Sequence, residues 1–324
     1  MITIIIVSWN VRELLRACLA SLAAHPCTLR EQRIIVVDNA SADDSVQMVR
    51  DRFPDVTVIA NTANRGFTGG NNDGLARARI EWQTAPGARH GQADMRPAAD
   101  RYAFLLNPDT EVTPGALDEL VGYADANSGV GVVGPQLLYP DGRVQSSRRR
   151  FPTLALARVE STWARAPREL LDHYYAADLA DDATNDVDWL VGAALLVRDR
   201  AIEQVGVLDE QTFFMYSEEL DWCKRIKDAG WRVVYHPRAR VIHYEGASSS
   251  QVSAQRMIYF NTSKVRYFEK HLGAAQAAAL RQALLGQFRS QLRVERIKAA
   301  LGHKRALRQE RIAAYEAVIA TGLR

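Results

Sequence analysis

Apolar runs and amphipathic segments alternate regularly at the start of the chain. Residues 2–7 form a run dominated by β-branched side chains, the pattern of a strand buried on both faces. Residues 12–25 place Leu14, Leu15, Cys18, Leu19 and Leu22 at helical spacing. Residues 34–37 read as a second buried strand, 43–53 as a second helix and 56–60 as a third strand. Strand, helix, strand, helix, strand predicts a parallel sheet with right-handed crossovers.

Residues 61–74, NTANRGFTGGNNDG, break the pattern with four glycines and four asparagines. Both residue types tolerate positive φ and let backbone approach a ligand, so the stretch is expected to be a ligand-contacting loop leading into a helix at 71–79. Residues 82–100 are polar, rich in Pro, Gly and Ala, and aperiodic, which predicts a surface insertion. The pivotal stretch follows: YAFLLNPDTEV, residues 102–112, an apolar strand closed by Asn107, Pro108 and Asp109. Pro108 stiffens the turn, and Asp109 is set just beyond the strand's carboxyl end, where parallel α/β sheets bind ligands. A carboxylate there suits Mg²⁺ or Mn²⁺ with a diphosphate; the alternative is a cap for the helix at 114–126.

Further on, 131–134 read as a strand, and 136–145 as two short strands around the turn Tyr139-Pro140-Asp141-Gly142. Arg148, Arg149 and Arg150 are either a solvated face or part of a phosphate site. Residues 153–186 are irregular. Residues 187–197, VDWLVGAALLV, predict one buried strand, with Gly192 where a bend or close packing is needed. Ser217 is expected to cap a helix carrying Glu218 and Glu219 in its first turn, ended by Gly230. Residues 231–235 and 239–243 read as two last strands, and 254–272 as a helix.

Composition narrows the class. At 47% hydrophobic and 24% charged residues, the 324-residue chain is an ordinary globular one. The scattered Cys18, Cys27 and Cys223 argue against a disulfide framework and for a reducing compartment. Neither a signal segment nor an 18-residue apolar run is evident, so a cytoplasmic protein is expected. The net charge of +3 hides an asymmetry: residues 273–324 hold eight Arg and two Lys against three Glu, a formal +7, which leaves −4 for the rest. There Leu285, Phe288 and Leu292 form one helical stripe and Arg289, Arg293 and Arg296 another. The stripe either packs on the chain itself or a second subunit of a homodimer, or meets an anionic membrane at the inner face of the cell envelope. With no aromatic-basic module such as RNP1, nucleic acid is not an expected partner. Neither G-x-G-x-x-G nor G-x-x-x-x-G-K-[ST] occurs, which excludes the dinucleotide fingerprint and the P-loop.

The stretches IIIVSWN, IIVVDNAS, NRGFTGGNN, LLNPDTEV, VGPQLLYPDG, LVGAALLV, FFMYSEELDWCKRIKDAGW and VIHYEGAS, in this order, resemble the family 2 glycosyltransferases, in their rhamnosyltransferase-like branch. The resemblance implies an α/β GT-A fold: a Rossmann-like mixed sheet flanked by helices over residues 1–250, with a helical extension over 251–324. It implies that Val7, Trp9 and Asp38 meet the base and ribose of a nucleotide-sugar, and that Asn64, Gly66 and Asn71 line the donor site. Asp109 takes the last carboxylate of the family's metal-binding DxD, with Asn107 at its first position; His243 matches a late metal-ligating histidine. Glu219 falls on the catalytic base, with Glu218 its rival and Asp221 a candidate for acceptor contact.

The implied reaction is a single inverting displacement. A carboxylate removes the proton of an acceptor hydroxyl, and a divalent metal, Mg²⁺ or Mn²⁺, assists departure of the nucleoside diphosphate. The branch implies dTDP-L-rhamnose as donor, with UDP-sugars next, and a cell-envelope glycan or lipid-linked acceptor. The rival reading is a catalytically weak sugar-nucleotide-binding protein.

Overall fold

The computed structural model describes residues 1–84, 100–159, 166–245 and 253–324. In chain order the elements are β1 (Ile2–Ser8), α1 (Arg12–Ala24), β2 (Gln32–Asp38), α2 (Ser45–Arg52), β3 (Thr57–Ala60), α3 (Gly66–Thr84), β4 (Tyr102–Leu106), β5 (Thr110–Val112), α4 (Ala116–Ala126) and β6 (Val130–Leu138). There follow β7 (Val144–Gln145), β8 (Arg148–Arg149), α5 (Leu154–Val159), α6 (Arg168–Tyr174), β9 (Asn185–Val187), β10 (Trp189–Leu190), β11 (Ala194–Arg198), α7 (Asp199–Val205), α8 (Glu218–Asp228), β12 (Arg232–His243), α9 (Ser253–Leu272), α10 (Ala274–Ala300) and α11 (Arg305–Thr321).

β1 is buried along its whole length and pairs in parallel with β2 and β4. The sheet order is β3-β2-β1-β4-β11-β6-β12-β5. β11 runs antiparallel to both β4 and β6, so the parallel sheet foreseen from the first sixty residues becomes a mixed one. One layer of apolar side chains joins β1, α1, β4 and α4; the other lies between the opposite face of the sheet, α3, α8 and the C-terminal helices.

Several expectations are corrected. The glycine- and asparagine-rich stretch is a loop only over 61–65: α3 begins at Gly66, five residues before the expected start. Its glycines serve packing, since a Cβ on Gly70 would lie 2.7 Å from Val7 and one on Gly74 2.3 Å from Ile5. Trp82 is not in a surface insertion but buried at the end of α3, its Nε1–H donating to Thr3 at 3.0 Å. The rest of that expected insertion, 85–99, lies outside the described residues. The single strand at 187–197 is three short ones, and the two strands at 231–243 are one, β12, whose register slips between His236 and Arg240.

The C-terminal stripe packs on the chain itself. Phe288 and Leu292 are buried, Leu285 is half-buried, and Phe288 packs on Tyr315 of α11. Val265, Phe268, Ala277, Leu280 and Leu284 share one apolar core with the sheet. Among the described residues no helix is long and apolar enough to cross a membrane.

Candidate active site

The carboxyl ends of β1, β2 and β4 open on one side, because the three strands are parallel and in register from Ile2, Gln32 and Tyr102. Asp38 ends β2, opposite Ser8. One of its carboxylate oxygens accepts from the Ser41 amide at 2.9 Å, and the other is buried without a partner. The bond to Ser41 thus leaves the second oxygen of Asp38 open to a ligand. Beside it, Asn39 donates through Nδ2 to the Gly66 carbonyl at 2.8 Å. Asn64 accepts the Gly66 amide at 2.8 Å, and Asn71 is turned back on its own helix, donating to the Phe67 carbonyl at 2.9 Å. Gly66 has φ +73°, and a Cβ there would lie 2.3 Å from the Phe214 carbonyl oxygen. That contact brings the start of α3 against the loop leading to Glu218.

At the end of β4, the Asn107 carbonyl accepts from the Thr110 hydroxyl at 2.7 Å, while the Asn107 side-chain oxygen is buried without a partner. Asp109 and His243 are 3% and 5% exposed, with Asp109 Oδ1 3.4 Å from His243 Nε2. They meet because β5, which follows Asp109, pairs antiparallel with the end of β12. His243 Nδ1 lies 2.9 Å from Gln145 Oε1. Gln145 Nε2 donates to Glu245 at 2.8 Å, and the Tyr139 hydroxyl donates to the same carboxylate oxygen at 3.2 Å. A carboxylate oxygen and a ring nitrogen on two adjoining segments, with an unpartnered amide oxygen two residues before Asp109, are donor types that suit a hard or borderline divalent cation. Two neighbouring ligands of an octahedral Mg²⁺ at ~2.1 Å lie ~3 Å apart, so Asp109 and His243 fit such an ion. Among the described residues no third His, Cys, Asp or Glu joins them.

The second centre is the first turn of α8. Tyr216 and Ser217 precede it with φ +68° and +65°, two successive left-handed residues that only their surroundings can hold. Ser217 makes no side-chain cap, contrary to expectation. The holding contacts come from α9: Ser263 donates to the Met215 carbonyl at 2.7 Å and Arg266 to the Thr212 carbonyl at 2.9 Å, while Phe260 packs edge-on against Tyr216. Glu218 is buried and Glu219 half-buried, and each has one carboxylate oxygen buried without a partner. Burial pushes both carboxyls up, Glu218 well above the usual range because the Glu219 charge adds to it. Asp221 differs. Burial alone would raise it, but His271 and Lys270, both at 2.7 Å, and Arg225 at 2.9 Å pull it down to about 2.

The two centres are joined by the short segment between β10 and β11. The Ala193 carbonyl accepts the Asn107 amide at 2.9 Å, and a Cβ on Gly192 would lie 3.4 Å from Glu219 Cβ. The Val191 amide donates to the Ser147 carbonyl at 2.8 Å, beside the Gln145 strand.

Residues 3–184 match the family model described as Glycosyl transferase family 2, more than half of the chain. The chain belongs to this family. It is 30% identical over 287 residues to an N-acetylglucosaminyl-diphospho-decaprenol L-rhamnosyltransferase of Mycobacterium tuberculosis, covering 87% of this chain and 89% of the relative. To Rhamnosyltransferase WbbL of Escherichia coli K12 it is 27% identical, over 83% and 93% of the two chains. Among solved structures, a mannosyltransferase of Pyrobaculum calidifontis in complex with GDP-Man and Mn²⁺ aligns with a TM-score of 0.54 at 15% identity, covering 98% of this chain and 85% of the other. That likeness establishes the GT-A fold of this family 2 glycosyltransferase.

The remaining sequence-derived residues fall as follows. Val7 is buried on β1 and Trp9 is half-buried just beyond it, near the open ends of the strands. Arg148 is neither on a solvated face nor free for a phosphate: it is 6% exposed, donates to the Leu179 and Ala180 carbonyls and lies over Tyr235. Arg150 pairs with Asp178. Sequence reasoning missed Gln145 as a neighbour of the His243 ring; nothing local in its sequence marks it.

Proposed function

We propose that the protein transfers L-rhamnose, from dTDP-L-rhamnose, to a hydroxyl of a polyprenol-diphosphate-linked envelope glycan, with inversion at the sugar's C1. Reaction class rests on one observation: Glu219, with one carboxylate oxygen unpartnered, and Asn107, two residues before Asp109, both border the segment 191–193. A donor diphosphate at Asp109 and His243 and an acceptor hydroxyl at the glutamates would then meet across that segment. Sugar and acceptor class follow the names of the rhamnosyltransferase relatives, which align over nearly their full length.

In this reading Glu219 is the base. Glu218 is buried, whereas Glu219 is half-buried and is the carboxylate open to the acceptor. Asp109 and His243, with the Asn107 side-chain oxygen nearby, would hold a divalent metal, Mg²⁺ or Mn²⁺, which when bound neutralises charge on the leaving diphosphate. Asp38, Val7 and Trp9 receive the nucleoside, and Asn64, Gly66 and Asn71 shape the donor side. Asp221 is wholly engaged by Lys270, Arg225 and His271 and acts by holding α8 rather than by touching the acceptor. Residues 1–250 form the catalytic unit, and 251–324 a helical extension packed on it.

The extension gives a peripheral attachment of different shape from the one its sequence foretold. The stripe of Leu285, Phe288 and Leu292 packs inward, while Ile297 and Leu301, 61% and 79% exposed, stand with Lys304 and Arg305 at the corner between α10 and α11. That mixture suits shallow contact with an anionic leaflet.

A donor panel tests the reading. Purified protein with Mn²⁺ or Mg²⁺ and a polyprenol-diphosphate N-acetylglucosamine acceptor should release dTDP from dTDP-L-rhamnose faster than any nucleoside diphosphate from the UDP- and GDP-sugars. A clear preference for a UDP-sugar overturns the donor assignment, and no acceptor-dependent release from any sugar overturns the enzyme reading.

A further inference from the structure

A chain of hydrogen bonds with one consistent direction runs from the protein surface to the Asp109–His243 pair. Its outer end is Glu245, an exposed residue. An ionised carboxylate only accepts. It accepts from the Tyr139 hydroxyl at 3.2 Å and from Gln145 Nε2 at 2.8 Å, both on the same oxygen. This fixes which end of the Gln145 amide faces outward. The amide oxygen must then face inward, where it lies 2.9 Å from His243 Nδ1. An amide oxygen also only accepts, so Nδ1 must carry the proton. In a neutral imidazole the proton on Nδ1 leaves Nε2 with a bare lone pair, and Nε2 faces Asp109 Oδ1 at 3.4 Å. Both residues are nearly fully buried.

The reverse orientation has two defects. Turning the Gln145 amide would set its oxygen against the Glu245 carboxylate. It would also place the ring proton on Nε2, towards Asp109, across a gap longer than the 2.7–2.9 Å usual for a charge-assisted N–H···O bond. In the orientation that satisfies every donor, a neutral His243 ring sets two acceptor atoms against one another in a buried place. A cation answers that arrangement.

We propose that Gln145, oriented by Glu245 and Tyr139, is a positioning residue that fixes His243 as the Nδ1–H tautomer and so turns the Nε2 lone pair to a divalent cation shared with Asp109. The proposal rests on the metal reading above and adds what makes the histidine a ligand. It gives the turn at residues 139–142 a role, since the β6–β7 hairpin delivers both Tyr139 and Gln145 to the end of β12. Partners of this kind commonly change metal affinity by about 10–100-fold.

Two readouts other than turnover test it. In metal-free full-length protein labelled with ¹⁵N-histidine, two-bond ¹H–¹⁵N correlation spectra report the tautomer, with His243 assigned by its loss in His243→Gln. The wild type should show Nδ1–H, and Gln145→Leu should shift the ring towards Nε2–H. Free Mn²⁺, counted by electron paramagnetic resonance, should show affinity lowered about tenfold or more in Gln145→Leu and by less in Glu245→Gln, with thermal midpoints near that of the wild type. An Nε2–H tautomer in the wild type overturns the proposal, as does wild-type Mn²⁺ affinity in Gln145→Leu when Asp109→Ala has lost it. If Asp109→Ala itself binds Mn²⁺ as the wild type does, the metal reading fails, and the wild-type tautomer still decides the hydrogen-bond chain. Should Gln145→Leu fail to fold, that same wild-type spectrum is decisive.

Discussion

Replacing Asp221 by asparagine removes one negative charge from the most heavily paired point near the candidate base. The carboxylate is fully buried and receives His271 and Lys270 on one oxygen and Arg225 on the other. Asparagine can still accept on one side, but its amide would set N–H against the Arg225 guanidinium. Folding holds the carboxyl at about 2 against an ordinary 3.8, a gap corresponding to roughly 2.5 kcal/mol at ~1.36 kcal/mol per pKa unit. Breaking a buried pair and leaving its cations uncompensated costs about 3–5 kcal/mol. The expected loss is therefore roughly 2–5 kcal/mol, or a fall in Tm of about 3–7 °C for a chain of this size. Because the folded value lies below the unfolded one, folding favours the charged form. The wild-type advantage should be complete above about pH 5, shrink as pH falls through about 4, and vanish towards 2. Thermal unfolding of both proteins by circular dichroism between pH 8 and 4 measures it. A difference below about 1 °C at pH 7.5, or one already halved at pH 6, would refute the argument.

Three further outcomes are expected. Glu219→Gln should lower kcat by about 10²-fold or more with little change in donor Kd, measured by steady-state kinetics and calorimetry, whereas a dead Glu218→Gln beside an active Glu219→Gln would reverse the assignment within the pair. Gly66→Ala should lower both Tm and kcat, since the left-handed conformation costs ~1–2 kcal/mol in a residue with a Cβ and the new methyl would press on the Phe214 carbonyl; unchanged kcat would show that the loop before Glu218 tolerates the shift. Ile297→Asp with Leu301→Asp should abolish low-salt co-sedimentation with anionic vesicles while leaving Tm unchanged, and sedimentation equal to wild type would remove the membrane contact from that corner.

Legibility in the sequence followed the range of the forces involved. β1 and β4 could be read because burial on both faces leaves an uninterrupted apolar run. The start of α3 could not. Its glycines look like turn signals, yet Gly70 and Gly74 are small because β1, sixty residues away in sequence, passes directly beneath them. The break between β10 and β11 was hidden for a similar reason: VDWLVGAALLV is uniformly apolar, and what divides it is the need to pass Asn107 and Glu219 at Gly192 and Ala193. The tail showed its apolar stripe plainly but not its partner. Gln145 was illegible because its role depends on two residues about a hundred positions later.

The C-terminal helices belong to the same argument. An amphipathic basic helix read alone invites a ligand of opposite charge, but α9 gives its polar groups to the segment that carries the candidate base. Ser263 and Arg266 hold the carbonyls of Met215 and Thr212, while Lys270 and His271 reach Asp221. Tyr216 and Ser217 keep left-handed φ angles under that restraint. α10 and α11 in turn bury the opposite side of α9, and Arg266 and Arg281 reach the carbonyls of Arg324 and Leu323 at the chain's last turn. Strain before α8 is thus held from outside the sheet, by helices whose apolar faces are continuous with its core. Removing residues 274–324 would open that core before it changed any charge at the surface, so only substitutions at the exposed corner can separate attachment from catalysis.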